Sequence, residues 1–351
     1  MKPEIKAPTL GDVAKSAGVS LYTASVVLNG SRSNTRVSEA TRQRIVEAAA
    51  ELRYHPNLMA RGLTNRRTHS LGVCFGVMMA HDTITNPYAS HVLQGILAAC
   101  SDLGYCVTLY TERWQDEATS AVRFRDGRCD GLIVIAPPTE SDIVPALATL
   151  GLKLCAIAYP AETYGVNQVD VDNRRGIELA VSHLVELGHR RIAHIHGNAD
   201  MASVPTRREA FVAAMARAGL PLYDHYIQAG SYDGMGIDEA IERLFALPDP
   251  PTALIAGNDT IAIAAMAACR EREIRIPEQL SLVGFDGSLS GELVTPPLTT
   301  IKQPLHEIGA TAAKLLIAEI IGKNDDARGH LLAPELVVRG STGPPPTRCT
   351  M

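Results

Sequence analysis

The sequence predicts an all-α N-terminal head built on a helix-turn-helix, followed by a two-lobed α/β core. Three observations predict it. Residues 9–29, TLGDVAKSAGVSLYTASVVLN, carry helix signals on both sides of one glycine. The charge is divided: residues 1–69 hold 11 Lys+Arg against 5 Asp+Glu, whereas the whole 351-residue chain is net −5. From residue 70 onward, short apolar runs alternate with helical stripes.

The head comes first. Thr9 can cap a helix with its side-chain oxygen, with acidic Asp12 three residues on. Leu10, Val13, Ala14 and Ala17 recur at helical spacing, and Gly18 stands where that helix must turn. Ser20 can cap a second helix whose apolar residues Leu21, Ala24, Val27 and Leu28 give one face to pack. Thr23, Ser25 and Asn29 lie off that stripe. A helix-turn-helix places such a second helix in the DNA major groove, whereas an ordinary helical hairpin would use the same spacing for packing alone. A basic head on an acidic body is the electrostatic footprint of a nucleic-acid module. After a polar loop, Ser38 can cap a third helix from Glu39 to about Arg53, with Ile45, Ala48, Ala49 and Leu52 as its buried stripe. Pro56 stops it. Residues 57–63 are helix-capable, and 64–68 form a polar, basic linker.

Taken together, TLGDVAKSAGVSLYTASVVLN, RVSEATRQRIVEAAAELRYHPN and ARGL resemble the head and hinge of the lactose/galactose repressor (LacI/GalR) family of bacterial transcription factors. The resemblance implies DNA contacts from Thr9, Leu10, Ser20, Leu21, Tyr22, Thr23, Ser25, Val26 and Asn29. It also implies a hinge helix that forms on DNA and uses Asn57, Ala60 and Leu63. Leu63 would wedge into the minor groove, where the cost of unstacking is offset by contacts to the kinked duplex. Gly62 lowers helix propensity there by roughly 1 kcal/mol against alanine, so the free hinge is expected to be disordered. Relatives usually carry arginine where this chain has Val26. Leu21 and Tyr22, at the other base-reading positions, are equally poor readers of guanine. The operator is therefore expected to depart from the usual half-site and to prefer A·T opposite Val26.

In the core, strands are expected at 71–77, 105–110, 131–135, 153–158, 191–196, 252–255 and 281–285. Helices are expected around 92–103, 180–187, 209–218, 260–273 and 305–321. Such alternation argues for open, mostly parallel sheets covered by helices. About 270 residues exceed one comfortable core, so two lobes with a cleft are expected. The resemblance continues through Asn86-Pro87-Tyr88, Val171-Asp172-Asn173, Leu187-Gly188-His189, Asn258-Asp259, Val283-Gly284-Phe285-Asp286 and residues 334–342. It implies a core similar to periplasmic sugar-binding proteins (type I), with three crossovers between lobes. The expected divisions are 1–55 for the head and 56–69 for the hinge and linker. One lobe takes 70–170 with 303–332, and the other takes 171–302 with 333–342. The Pro-rich tail, 343–351, is expected to be disordered.

The same resemblance assigns an effector to the cleft. Arg207 falls where the family has a ligand-binding arginine, and a guanidinium fork suits two hydroxyls or a carboxylate. An ion pair with Glu209 is the competing use. Asp286 matches a cleft aspartate, with helix capping as its alternative. Tyr232 matches an aromatic that stacks on ligand, and Asn258 and Asp259 lie on the same rim. Tyr88, Trp114 and Tyr159 are further stacking candidates. Two departures stand out: Ala158 replaces a polar residue, and Gly287 stands where many relatives have a second aspartate. The loop 75–84 is also long and brings in Met78, Met79, His81 and Asp82.

Other function classes are disfavoured. There is no dinucleotide, P-loop, zinc-protease or nucleophile-elbow motif, so no catalytic residue and no cofactor is expected. His194 and His196 alternate on one strand, but no third ligand stands near, so no metal is expected. The seven cysteines form no CxxC pair and read as small buried hydrophobes. The start, MKPEIKAPTL, lacks the apolar core of a secretory signal, and no apolar run spans a bilayer, so a cytoplasmic, nucleoid-associated protein is expected. A solute-binding protein without DNA function is the alternative, opposed by the basic head. The expected partners are a palindromic DNA operator, a second copy of the chain and a carbohydrate effector.

Overall fold

The structure is a computed structural model that describes residues 8–29, 36–55, 67–76, 85–323 and 328–346. The hinge residues Asn57, Ala60 and Leu63, and Met78, Met79, His81 and Asp82 of the long loop, lie outside the described residues.

The head holds helices α1 (Leu10–Ser16), α2 (Leu21–Asn29) and α3 (Glu39–Glu51). Thr9 opens α1 with a full capping box. The Asp12 N–H donates to Thr9 Oγ1 at 3.3 Å, and the Asp12 carboxylate accepts from the Thr9 N–H at 2.8 Å. Gly18 turns the chain at φ +65°, a conformation that costs glycine little. Ser20 Oγ then accepts the Thr23 N–H at 3.1 Å, and Ser38 Oγ the Thr41 N–H at 3.3 Å. Val13, Ala14, Ala17, Ala24, Ile45, Ala48 and Ala49 form the buried centre of this small unit. Leu21 departs from expectation. It does not join the packed face and is 57% exposed. At the first position of α2 its Cβ tilts back past the end of the packed surface.

The core carries two six-stranded sheets. The first has the order β11-β5-β4-β3-β1-β2. Its strands are β1 (Ser70–Phe75), β2 (Cys106–Leu109), β3 (Gly131–Ile135), β4 (Leu154–Ile157), β5 (Asn167–Val171) and β11 (Gly329–Leu332). The second has the order β12-β10-β9-β8-β6-β7. Its strands are β6 (Ile192–His196), β7 (Ile227–Ala229), β8 (Ala253–Ala256), β9 (Ser281–Asp286), β10 (Thr299–Lys302) and β12 (Glu335–Val337). The strands β3, β4 and β8 are buried along their whole length, as parallel strands covered on both faces must be. β12 alone runs antiparallel to its neighbour, β10, among the pairings described. Five strands are absent from the sequence reading: β5 and β10, and the short edge strands β7, β11 and β12, which have no buried residue to mark them.

Helices α4 (Pro87–Asp102), α5 (Glu117–Phe124), α6 (Ile143–Thr149) and α12 (Leu305–Ile320) belong with the first sheet. The second is flanked by α7 (Asn173–Glu186), α8 (Ser203–Arg217), α9 (Ile237–Phe245), α10 (Asp259–Glu271) and the short α11 (Leu289–Leu293). The chain therefore passes between lobes after β5, between β10 and α12, and between β11 and β12. Helices α4 and α12 cross closely because Gly95 and Gly309 each lie against the other helix's backbone. Among the described residues, no helix is long and apolar enough to cross a membrane.

The tail corrects an expectation. Gly343 is held rather than disordered: its N–H donates to Ser281 Oγ at 3.0 Å, and its carbonyl lies 2.9 Å from His189 Nε2. Residues 347–351 lie outside the described residues. Of the cysteines, Cys74, Cys100, Cys155 and Cys269 are buried, but Cys106 is exposed.

Candidate functional site

Two features stand out, one in each compact unit. In the head, α2 has the sequence LYTASVVLN and carries no charged side chain. Its first two residues, Leu21 and Tyr22, are 57% and 60% exposed. Ser20 Oγ lies 2.8 Å from Thr23 Oγ1, and Asn29 Nδ2 donates to Ser25 Oγ at 3.0 Å. Val26 is half-buried and is not among the residues packed on the head's core. Leu10 packs against that core and is half-buried. The Thr9 hydroxyl donates to Asp12 at 2.7 Å.

The core contains a cavity of about 310 Å³ at the ends of the strands of both sheets. Five of the six sequence-predicted effector residues line it: Tyr88, Arg207, Tyr232, Asn258 and Asp286. Tyr159 does not. It is buried at 6% exposure, while Ala158, turned to φ +54°, lines the cavity in its place. Trp114 is also turned elsewhere, donating Nε1–H to Asp142 and packing edge-on against Phe124 at 5.3 Å.

Arg207 is fixed from two sides. Its Nε donates to Asn173 Oδ1 at 2.7 Å, and Nη1 donates to the Gly257 carbonyl. Its guanidinium carbon sits 3.6 Å from the centre of the Phe285 ring. Glu209, the competing partner, pairs with Arg174 at 3.8 Å instead. Tyr232 donates its N–H to Asn198 at 2.9 Å, and its hydroxyl lies 2.9 Å from Ser203 Oγ. Gly197 leaves room for the Tyr232 ring, since a Cβ there would collide with it. Asn258 caps α10 by accepting the Ile261 N–H at 2.8 Å, and its amide donates to the Tyr232 carbonyl at 3.2 Å. Asp259 is structural: buried, it accepts from the Ser288 N–H and the Thr300 hydroxyl, both at 2.6 Å.

Asp286 accepts from the Gln303 side-chain amide at 2.7 Å. Burial, then the nearby charge of Asp259, pushes its carboxyl up to about 7, and Arg207 pulls the other way. Asp170, absent from the sequence reading, lines the same cavity. It accepts from the Val171 N–H at 2.8 Å and from the Asn173 amide at 3.0 Å, and burial pushes it up to about 6. The Tyr88 hydroxyl is buried with no hydrogen-bond partner among the described residues, and burial together with Asp170 and Asp286 raises its pKa. Three lining residues sit in unusual backbone conformations: Ala136 at φ +46°, Ala158 at +54° and Asp286 at +147°. Such strain collects where a site over-determines the chain. Thr139 links the lobes, its N–H and hydroxyl donating to the Asp200 carbonyl at 2.8 and 3.0 Å. His194 lies outside the cavity lining, with Nδ1 2.9 Å from the Ile255 carbonyl and a pKa driven by burial down to about 4.

Comparison with known proteins agrees with both features. Residues 9–57 match the family model for bacterial regulatory proteins of the lacI family, and residues 181–342 match that for a periplasmic binding protein-like domain. The chain is 33% identical to the HTH-type transcriptional regulator DegA of Bacillus subtilis (strain 168), over 96% of this chain and 98% of that protein. It is 32% identical to the ribose operon repressor of Escherichia coli (strain K12), over 95% and 99%. Among solved structures it resembles the lac repressor dimer bound to operator and the anti-inducer ONPF. That match has a TM-score of 0.83 and 27% identity, and covers 96% of this chain and 100% of the other. The complex of the transcriptional regulator CelR with cellobiose gives a TM-score of 0.72 at 30% identity, covering 95% and 99%.

Proposed function

The chain belongs to the LacI family of bacterial regulatory proteins, DNA-binding regulators under small-molecule control, and we propose how this member divides that work. The head binds a half-site of a palindromic operator, and a homodimer presents two heads, because protein two-fold symmetry is mirrored in the DNA. Thr9, Leu10, Ser20, Leu21, Tyr22, Thr23, Ser25, Val26 and Asn29 face the major groove or its phosphates. Asn57, Ala60 and Leu63 act at the hinge. The cavity takes a small effector, of carbohydrate type, through Tyr88, Arg207, Tyr232, Asn258 and Asp286. Effector binding changes the fit of the two lobes, and operator affinity follows as a differential affinity between two states. The protein works in the cytoplasm as a repressor and carries out no catalysis.

The single observation that carries this reading is the convergence of those five residues on one cavity at the strand ends, where ligands of open α/β sheets bind. A gel-shift titration of the full chain with DNA at low and raised salt tests the DNA half. Binding should weaken steeply with salt as phosphate-bound counterions return. A thermal-shift screen tests the effector half: a ligand at a hundredfold excess over its Kd stabilises by about 2.7 kcal/mol. Salt-independent or absent DNA binding would defeat the proposal.

A further inference from the structure

The cavity is short of positive charge. Its described lining holds three carboxylates, Asp170, Asp233 and Asp286, against one cation, Arg207. Asp233 accepts a hydrogen bond from the Met235 N–H at 3.0 Å and lies near solvent, so water screens it. The other two are deeper, and the same guanidinium acts on both. Two of its nitrogens are already spent on Asn173 and Gly257. Buried carboxylates are costly unless a cation or several donors meet them.

The two walls also differ. The first-lobe wall is largely apolar, with Ala89, Ala136 and Ala158, though Asn86 and Gln303 also line it, and Asp170 is its one charged group among the described residues. The Tyr88 hydroxyl stands in the same region, near Asp170 and Asp286, buried and without a partner among the described residues. Arg207 is the one cation of the described lining that acts on Asp170, and it is shared with Asp286.

We propose that the effector carries a basic nitrogen: it is an amine-bearing polyol of about monosaccharide size, whose ammonium meets Asp170 beside the Tyr88 hydroxyl. Its hydroxyl edge meets Arg207, Asn258 and Asp286, and its less polar face lies on the alanine-lined wall. Phosphorylated and carboxylate sugars are rejected, because they add negative charge to a cavity that already has an excess. The inference rests on the cavity being the effector site.

Calorimetry with the full chain tests it, using matched probes that differ in one group. The probes are glucosamine with glucose, galactosamine with galactose, and mannosamine with mannose, with glucose 6-phosphate and glucuronate as anions. At least one amine should bind tenfold or more tightly than its hydroxyl parent, and neither anion should bind. Asp170→Asn should bring amine and parent to parity, and Asp170→Glu should restore part of the preference. Overlaid circular dichroism spectra would show that both variants fold. A parent sugar or an anion that binds as well as the amine overturns the proposal, as does a panel in which no amine binds, or an Asp170→Asn variant that keeps the preference. Release of operator DNA by a neutral or anionic sugar would overturn the amine while leaving the effector site standing. Failure to bind DNA at all would instead count against the regulator reading.

Discussion

The Nε of Arg207 donates a 2.7 Å hydrogen bond to the side-chain oxygen of Asn173, whose own amide donates to Asp170 at 3.0 Å. Three residues on three elements thus hold one another in register at the cavity. Arg207→Lys keeps the charge but loses the fork that serves Asn173 and Gly257 together. The expected result is an effector affinity lowered by roughly 1.5–3 kcal/mol, the usual size for a hydrogen bond to a charged group. Asn173→Ala, which never touches the ligand in this scheme, should lower it less. Calorimetry on both variants checks the order, and an Arg207→Lys protein with unchanged affinity would remove Arg207 from the site.

Asp286 makes stability depend on pH in an unusual direction. Its carboxyl is raised to about 7 by burial and by Asp259, against Arg207 and Gln303, while an unfolded aspartate titrates near 3.9. Between those values the folded protein binds more protons than the unfolded one, so this residue's contribution falls as pH rises from about 4 to about 7. Above pH 7 the cost of the buried charge is fully present. Asp286→Asn should therefore stabilise the ligand-free protein at pH 8, by on the order of 1 kcal/mol or more, and much less at pH 4. Urea unfolding at the two pH values decides it, and equal shifts at both would contradict the assignment.

The crossing of α4 and α12 depends on glycine. A Cβ at Gly309 would run into the Val92 carbonyl, and one at Gly95 into that of His306. Gly309→Ala should force the helices apart and cost about 1–3 kcal/mol, the range for overpacking. The lowered urea midpoint should appear with the slope unchanged.

Much of this was legible beforehand, for physical reasons. The caps Thr9, Ser20 and Ser38 depend on local chemistry within three residues, and each makes its expected bond. Buried parallel strands such as β3 announce themselves as unbroken apolar runs. Within the cavity, Arg207, Asp286 and Tyr232 were found through a resemblance to relatives, not through spacing. Asp170 was missed because it sits at an intermediate position of the alternating strand β5, where an aspartate reads as solvent-facing. Gln303 was missed because its role depends on Asp286, seventeen residues away. Tyr159 was misplaced because Ala158 turns to positive φ at the strand end and changes which side chain meets the cavity. No sequence pattern marks an alanine in that conformation.

Leu63 lies outside the described residues, and its proposed role is tested by DNA alone. Leu63→Ala should leave the effector's affinity unchanged and lose most specific operator affinity, since the minor-groove wedge is gone. A gel-shift comparison with equal affinity and equal DNA bending would rule the wedge out.

The recognition helix offers the sharpest test. α2 contains no arginine, lysine, glutamine or histidine, and the side chains most exposed at its start are Leu21 and Tyr22. Val26 stands apart from the residues packed on the head's core, which leaves it available to the groove. An arginine at that place can grip guanine O6 and N7 with two hydrogen bonds, worth roughly 1–3 kcal/mol of discrimination. Valine presents only methyl groups, which suit the thymine methyl. The wild-type half-site should therefore carry A·T opposite Val26. Val26→Arg should move that one position toward G·C and leave the others alone, as expected when base contacts add independently. Selection of bound sequences from a random pool, run on both proteins, reads the outcome directly. Replacing the matching thymine by uracil removes only its methyl group, and should weaken the wild type but not the variant. Two identical selected motifs would mean that residue 26 does not face the bases.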